Sequence, residues 1–195
     1  MDDRFDKGCL YVNVNWKPGK VLGQGYTSDV FEVDQNGGYI MKLSHIPTTD
    51  EDEEGIYERS LEIHDRVAKA GLTARIVDRW KCGEYGVIVM KRLDSTVEDY
   101  ILRTTLTCSE RLNLLAALQQ AVDKLHSIGI AHGELYSFNM MVGKDPSGYR
   151  IPGGDMYLYL IDFDRSVTSS SPEYKENVMK DKEFVYEKIT KVAGY

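Results

Sequence analysis

The chain changes character once, near Leu93, and that change restricts its fold more than any other feature. Before it, the residues read as strands. KVLGQGYTSDVFEVD carries two β-rich runs around a glycine-containing turn, and GGYIMKLS follows the turn QNGG. ARIVDRWKCGEYGVIVMKRL reads as two more strands around CGEYG. One helix interrupts them over residues 54–70, where Ile56, Ser60, Ile63, Val67 and Ala70 recur at helical spacing and Gly71 is a natural stop. The acidic stretch TTDEDEE ahead of it suits a helix entry. After Leu93 helices dominate. TVEDYILR is one. A longer one runs from Ser109 to Ser127, capped by Ser109 with Glu110, with Leu112, Leu115, Leu118, Ala121, Val122 and Leu125 as its apolar face. MMVGK and MYLYLIDF read as short strands joined by a Gly/Pro loop. SVTSSSPE reads as a polar loop, and a last helix covers about residues 173–191. Segregation of this kind is α+β. It predicts an N-terminal lobe, residues 1–92, and a C-terminal lobe, residues 93–195, hinged at the change.

At 195 residues, 42% hydrophobic and 28% charged, the chain is long and apolar enough to bury a core without staples. No apolar run approaches the roughly 20 residues of a membrane span. The start MDDRFDKG has no apolar signal core, which predicts a cytoplasmic (or nuclear) protein. Cys9, Cys82 and Cys108 are an odd number without metal-ligand spacing, so free thiols are expected. The net charge of −7 argues against general nucleic-acid binding.

Polar residues then concentrate in three places. HGELYSFN puts His132, Glu134, Ser137 and Asn139 into eight residues, a pattern open to a solvated surface, a metal site or a phosphoryl-transfer site. GQGYTSDV has Gly23 and Gly25 between two strands. Two glycines in a hairpin are commonly a turn alone, but glycines also let a backbone approach phosphates closely. The next element is a strand, not the helix of a dinucleotide fold, and no Gly-Lys-Ser/Thr follows, so a Walker loop is excluded too. Lys42 in YIMK is a surface residue or a phosphate contact. Asp162 ends the apolar run YLYLI, where a carboxylate is costly unless paired or bound to a cation. Asp164 reads as a solvated turn residue, with a second acid as the alternative.

In this order the pieces resemble the protein-kinase signature: Gly-rich loop, strand Lys, helix, hinge, H-x-D-x-x-x-x-N loop and D-F-G. Here they read GQGYTSDV, YIMK, residues 54–70, MKRL, HGELYSFN and IDFD, spanning about residues 20–165. The HG-acid form and the short tail are closer to minimal atypical kinases of the RIO and KEOPS-complex types. The resemblance implies a bilobal protein kinase-like fold with a reduced C-terminal lobe and an ATP- and Mg²⁺-dependent Ser/Thr kinase acting on a protein substrate. It implies that Gly23 and Gly25 lie over the ATP phosphates and that Lys42 contacts the α- and β-phosphates. Val30 would pack on the adenine and Met90 at the back of its pocket, with Lys91 to Leu93 supplying backbone hydrogen bonds. Asn139 and Asp162 would hold Mg²⁺, His132 would brace the loop, and Asp181 would be the buried acid of the last helix.

Three positions depart from the pattern. The family's helix Glu falls on Ser60, leaving Glu62, preferred over Glu58, to reach Lys42. Asp164 replaces the DFG glycine, where positive φ is expected. Glu134 replaces the catalytic Asp. It keeps the charge and nearly the acidity, but its extra methylene moves the carboxylate by about 1 Å, a displacement that can cost about 10²-fold in rate. The alternative is therefore a pseudokinase, a nucleotide-binding module that regulates a partner protein.

Overall fold

The structure, a computed structural model, describes residues 7–25, 27–34, 38–46 and 51–193, with backbone alone for 51–54, 56 and 189–193. The start MDDRFD, all but the last glycine of the QNGG turn, residues 48–50 of the acidic helix entry and the Ile56 side chain lie outside the described residues. Helices and antiparallel sheets are mixed, as α+β segregation predicts, and the architecture is compatible with a kinase-like fold. Two compact units emerge. One takes the chain up to Glu58 and then Arg75–Arg92; the other takes Arg59–Ala74 and everything from Leu93.

The first unit is built on β1 (Pro18–Gln24), β2 (Ser28–Val33), β3 (Tyr39–His45), the start of α1 (Glu51–Lys69), β4 (Ile76–Cys82) and β5 (Tyr85–Lys91). Its sheet runs β1-β2-β3-β5-β4, every neighbour antiparallel. Strand alternation decides the two faces. Phe31, Val33, Met41, Leu43, Val87 and Val89 form one buried face, closed over by Cys9 and Leu10 of a 3₁₀ turn at Lys7–Tyr11. The other face carries a registered row: Gly23 opposite Val30, Val30 opposite Lys42, Lys42 opposite Ile88.

The cysteine expectation is overturned here. Cys9 and Cys82 form a disulfide across 73 residues, and only Cys108, which is exposed, is free. The pairing follows from the sheet. The segment carrying Cys9 lies along β4, where Trp80 donates its indole N–H to the Cys9 carbonyl at 2.8 Å, and Trp16 and Asn13 both donate to Asp78 Oδ2. Closing a loop of that length restricts the unfolded chain. Replacing both cysteines with serine is expected to cost about 2–4 kcal/mol. Urea midpoints of the two proteins measure it, and equal midpoints would mean that the bond does not form in solution.

The second unit takes the end of α1, then β6 (Ser95–Thr96), α2 (Val97–Arg103), α3 (Cys108–Ser127), β7 (Ile130–Ala131), β8 (Met140–Gly143), β9 (Tyr149–Arg150), β10 (Tyr157–Leu160), β11 (Val167–Thr168) and α4 (Tyr174–Ala193). β6-β8-β10-β9 form one sheet, and β7 pairs with β11. α1 stops at Gly71, as expected. With φ at +69°, Gly71 lets its own N–H reach the Ala68 carbonyl and that of Leu72 reach Val67, the paired bonds that satisfy a helix end. The cap of α3 differs from the expectation. Thr107, not Ser109, is the N-cap, exchanging hydrogen bonds with Glu110 in a capping box. Leu118, Ala121, Val122 and Leu125 are buried as predicted, but Leu112 is 53% exposed, because the buried face runs through Leu114, Ala117, Leu118, Ala121, Val122 and Leu125 and Leu112 lies off it.

Candidate active site

The run HGELYSFN connects β7 to β8, and a carboxylate on α4 holds its first residues. Asn177, Asp181 and Val185 recur every fourth residue, so they share one face of α4, and all three are buried. Asp181 is 1% exposed. Its Oδ2 accepts the backbone N–H of His132 at 2.8 Å and lies 2.9 Å from His126 Nε2, while its Oδ1 accepts the Gly133 N–H at 3.0 Å. Gly133 is required there. Its φ is +79°, and a Cβ would come within 2.7 Å of Asn177 Nδ2 and 3.0 Å of the Arg165 carbonyl.

His132 is fully buried and braced on both sides. Its Nε2 lies 3.0 Å from the Ile161 carbonyl, which places the proton on Nε2, and the Ser166 hydroxyl donates to the His132 carbonyl at 3.0 Å. Burial lowers its pKa below the usual 6.5, outweighing the nearby Asp181, Asp162 and Glu134 charges. The sign follows from the proton count. In the window just below pH 6.5 the unfolded chain binds more protons at this residue than the folded one. His132 therefore contributes stability that is present above pH 6.5 and lost on acidification toward its lower folded value. Unfolding free energies between pH 7 and 5 should fall with a smaller slope in His132→Gln than in the parent; equal slopes would remove this account.

Asn139 closes the loop. Its side-chain amide donates to the Glu134 carbonyl at 2.9 Å, its backbone N–H to Tyr136, and its carbonyl accepts from Ile161 at 3.0 Å. The amide orientation leaves Oδ1 as its remaining acceptor. Glu134 itself is exposed. Asp162 follows Ile161, and two expectations change here. The positive φ falls on Asp162 (+67°) rather than on position 164. The carboxylate is also exposed, because the chain turns sharply where the buried strand β10 has ended, so no desolvation cost argues for its partner. Aspartate is one of the few side chains that enter this left-handed region readily, and a residue held there is a candidate functional position. No group of three His, Cys, Asp or Glu able to hold a metal occurs among the described residues. An amide oxygen plus one carboxylate is instead the donor set that suits Mg²⁺ sharing phosphate oxygens.

In the first unit, Gly23, Val30 and Lys42 are cross-strand neighbours on the face away from the core, and Met90, 8% exposed, lies two residues beyond Ile88 on β5. A Cβ on Gly23 would meet nothing within 4 Å. The Gly25 N–H is bonded to Ser28 O at 2.7 Å, so it serves the hairpin. Lys42 is half-buried, and its charge reaches Tyr57 on α1. Burial and the Glu58 charge push that phenol up to about 12 against the pull of Lys81, Lys42 and Arg79. Glu58 is paired with Lys81 at 2.5 Å, Ser60 is buried and Glu62 is exposed. Lys91 is exposed at the end of β5, and the Arg92 N–H is bonded to the Gly38 carbonyl. Leu93 belongs to the second unit and packs with Ala74 and Tyr159.

Residues 70–181 match the lipopolysaccharide kinase (Kdo/WaaP) family, which is more than half of the chain. The chain belongs to that family. No curated protein matches it significantly. Membership of the Kdo/WaaP family makes the chain a kinase-like phosphotransferase, and the matched span runs from the end of α1 through the loop and Asp162 to Asp181. Among the described residues no helix is long and apolar enough to cross a membrane.

Several residues that pack around this loop were not marked out as site residues by the sequence. Phe163 is 3% exposed, with its ring 5.4 Å from that of His132 and 5.5 Å from His64, edge-on. His64 recurs with Val67 at helical spacing, which was a usable signal. Ser166 and Asn177 had none, since their partners are backbone atoms and a glycine far off in sequence.

Proposed function

We infer that the chain transfers the γ-phosphoryl group of ATP, with Mg²⁺, to a hydroxyl of a protein substrate, in the manner of the minimal RIO- and KEOPS-type kinases. The observation that carries the reading is the loop itself: a buried acid fixes His132 and Gly133, and the Asn139 amide fixes the backbone of Glu134. In such a site Glu134 orients the acceptor hydroxyl and takes its proton as the new O–P bond forms and the bond to the ADP oxygen breaks. Asn139 Oδ1 and the Asp162 carboxylate would hold the metal, which neutralises charge on the phosphate oxygens when bound. On this reading Lys42 would contact the α- and β-phosphates, Gly23 and Gly25 would cover them, and Val30, Met90 and the backbone of Lys91 and Leu93 would receive the adenine.

Radiolabelled transfer from ATP tests this directly. Glu134→Gln should lower the rate by about 10²–10⁴-fold with ATP binding retained. No transfer to any acceptor, together with no effect of Lys42→Ala on nucleotide binding, would end the reading. The longer side chain at 134 favours one alternative, a pseudokinase that binds nucleotide and acts on a partner protein; thermal stabilisation by ATP and Mg²⁺ without turnover is its signature. The family's name supports a second acceptor, a lipopolysaccharide sugar hydroxyl, so saccharide and protein acceptors belong in the same assay.

A further inference from the structure

The second unit holds a groove of about 200 Å³ that the phosphotransfer reading leaves unused. Val97, Ile101 and Leu102 of α2 face Leu114, Leu115 and Leu118 of α3 across it, over a floor from β8 and β10. It suits one large apolar side chain better than a cofactor. Its outer wall is open, with Ile101 38% and Leu102 78% exposed. Ser137 of the HGELYSFN loop also lines it, and on either side of Ser137 in the chain Tyr136 and Phe138 are exposed and stacked at 5.4 Å. Apolar surface gathered around a concavity marks an interaction site.

Two charges on the lining say what kind of occupant fits. Glu98 accepts the Ser137 hydroxyl at 2.9 Å and shares the lining with one cation, Lys188, without an ion pair to it. Lys188 lies 5.1 Å over the Phe184 ring and has no carboxylate partner among the described residues. The groove thus offers an acid, an apolar trough and a base. A fatty tail with an anionic head uses the trough and the base only, and meets Glu98 as a repulsion. A peptide with a leucine-class anchor between a basic and an acidic residue uses all three.

We propose that this groove docks a short segment of the protein acceptor, its apolar anchor in the trough, its basic residue toward Glu98 and its acidic residue toward Lys188. The inference rests on the reading of a protein acceptor and names how that acceptor is recruited. Ser137 stands three residues after Glu134 and two before Asn139, so a docked segment raises the local concentration of a tethered hydroxyl at the loop.

Fluorescence anisotropy without nucleotide tests it, using a labelled acetyl-Arg-Ala-Leu-Leu-Ala-Glu-amide peptide. Saturable binding is expected. Ile101→Asp should weaken it by about 10-fold or more, since a charge enters the trough. Glu98→Lys and Lys188→Glu should each weaken it by about 3- to 5-fold. The double reversal should recover affinity for the peptide with its charged ends exchanged. Circular dichroism confirms that each variant is folded. The proposal is overturned by absence of saturable binding at millimolar peptide, by indifference to Ile101→Asp, or by decanoate occupying the groove where the peptide does not. Peptide binding without phosphotransfer would remove the kinase reading and keep the dock; phosphotransfer to protein without peptide binding would do the reverse.

Discussion

Asp181→Ala will lower the unfolding free energy by about 3–5 kcal/mol, the largest stability effect expected of a single polar substitution in the described residues. The acid is buried on α4 and accepts two backbone N–H groups and faces His126. Removing it leaves those donors without partners in a place water does not reach. Asp181→Asn retains one amide oxygen and should cost about half as much. Because small domains are stable by only about 5–15 kcal/mol, the alanine variant should already be partly unfolded near body temperature. Urea unfolding at pH 7 decides the matter: a loss below about 1 kcal/mol would mean that the loop is held by something other than this carboxylate.

A large effect on activity, separable from stability, is expected at Asp162. Asn is sterically almost identical and tolerates left-handed backbone as well as Asp does, so Asp162→Asn should change stability by less than about 0.5 kcal/mol. It removes the charge from the proposed metal site, and phosphotransfer should fall by at least about 10²-fold. Asp162→Ala should lose activity equally and about 1 kcal/mol of stability in addition, because alanine is strained at a φ of +67°. An asparagine variant that keeps its activity would sink the assignment of Asp162 as a metal-binding residue. One as unstable as the alanine variant would show that the carboxylate's charge, rather than the backbone it sits on, is what the fold needs.

Much of this arrangement was legible in the residues because it is local. The strands of the first unit alternate, α1 and α3 carry apolar residues at helical spacing, and Gly71 ends α1 where a glycine at positive φ should. The cap of α3 is legible too: Thr107 with Glu110 is the S/T-x-x-E pattern of a capping box, two residues ahead of Ser109. What could not be read depends on distance in the chain. Nothing near Cys9 announces Cys82, since the sheet alone brings them together. Asp162 looked like a buried strand end because YLYLI is apolar, but the turn of the backbone that exposes it has no composition signal. Asp181 was suggested by resemblance alone. Its identity as a clamp depends on an α4 face that meets β7 and the loop after it.

Gly133 has a consequence for how such a protein can be controlled. Any side chain there would enter space held by the Asn177 amide and the Arg165 carbonyl, so a cation cannot be installed beside Glu134 to sense an incoming phosphate. The acid that orders this loop is already part of α4. Its geometry is inherited from folding and is present before any signal arrives, which moves control from switching the loop to delivering the molecule it acts on.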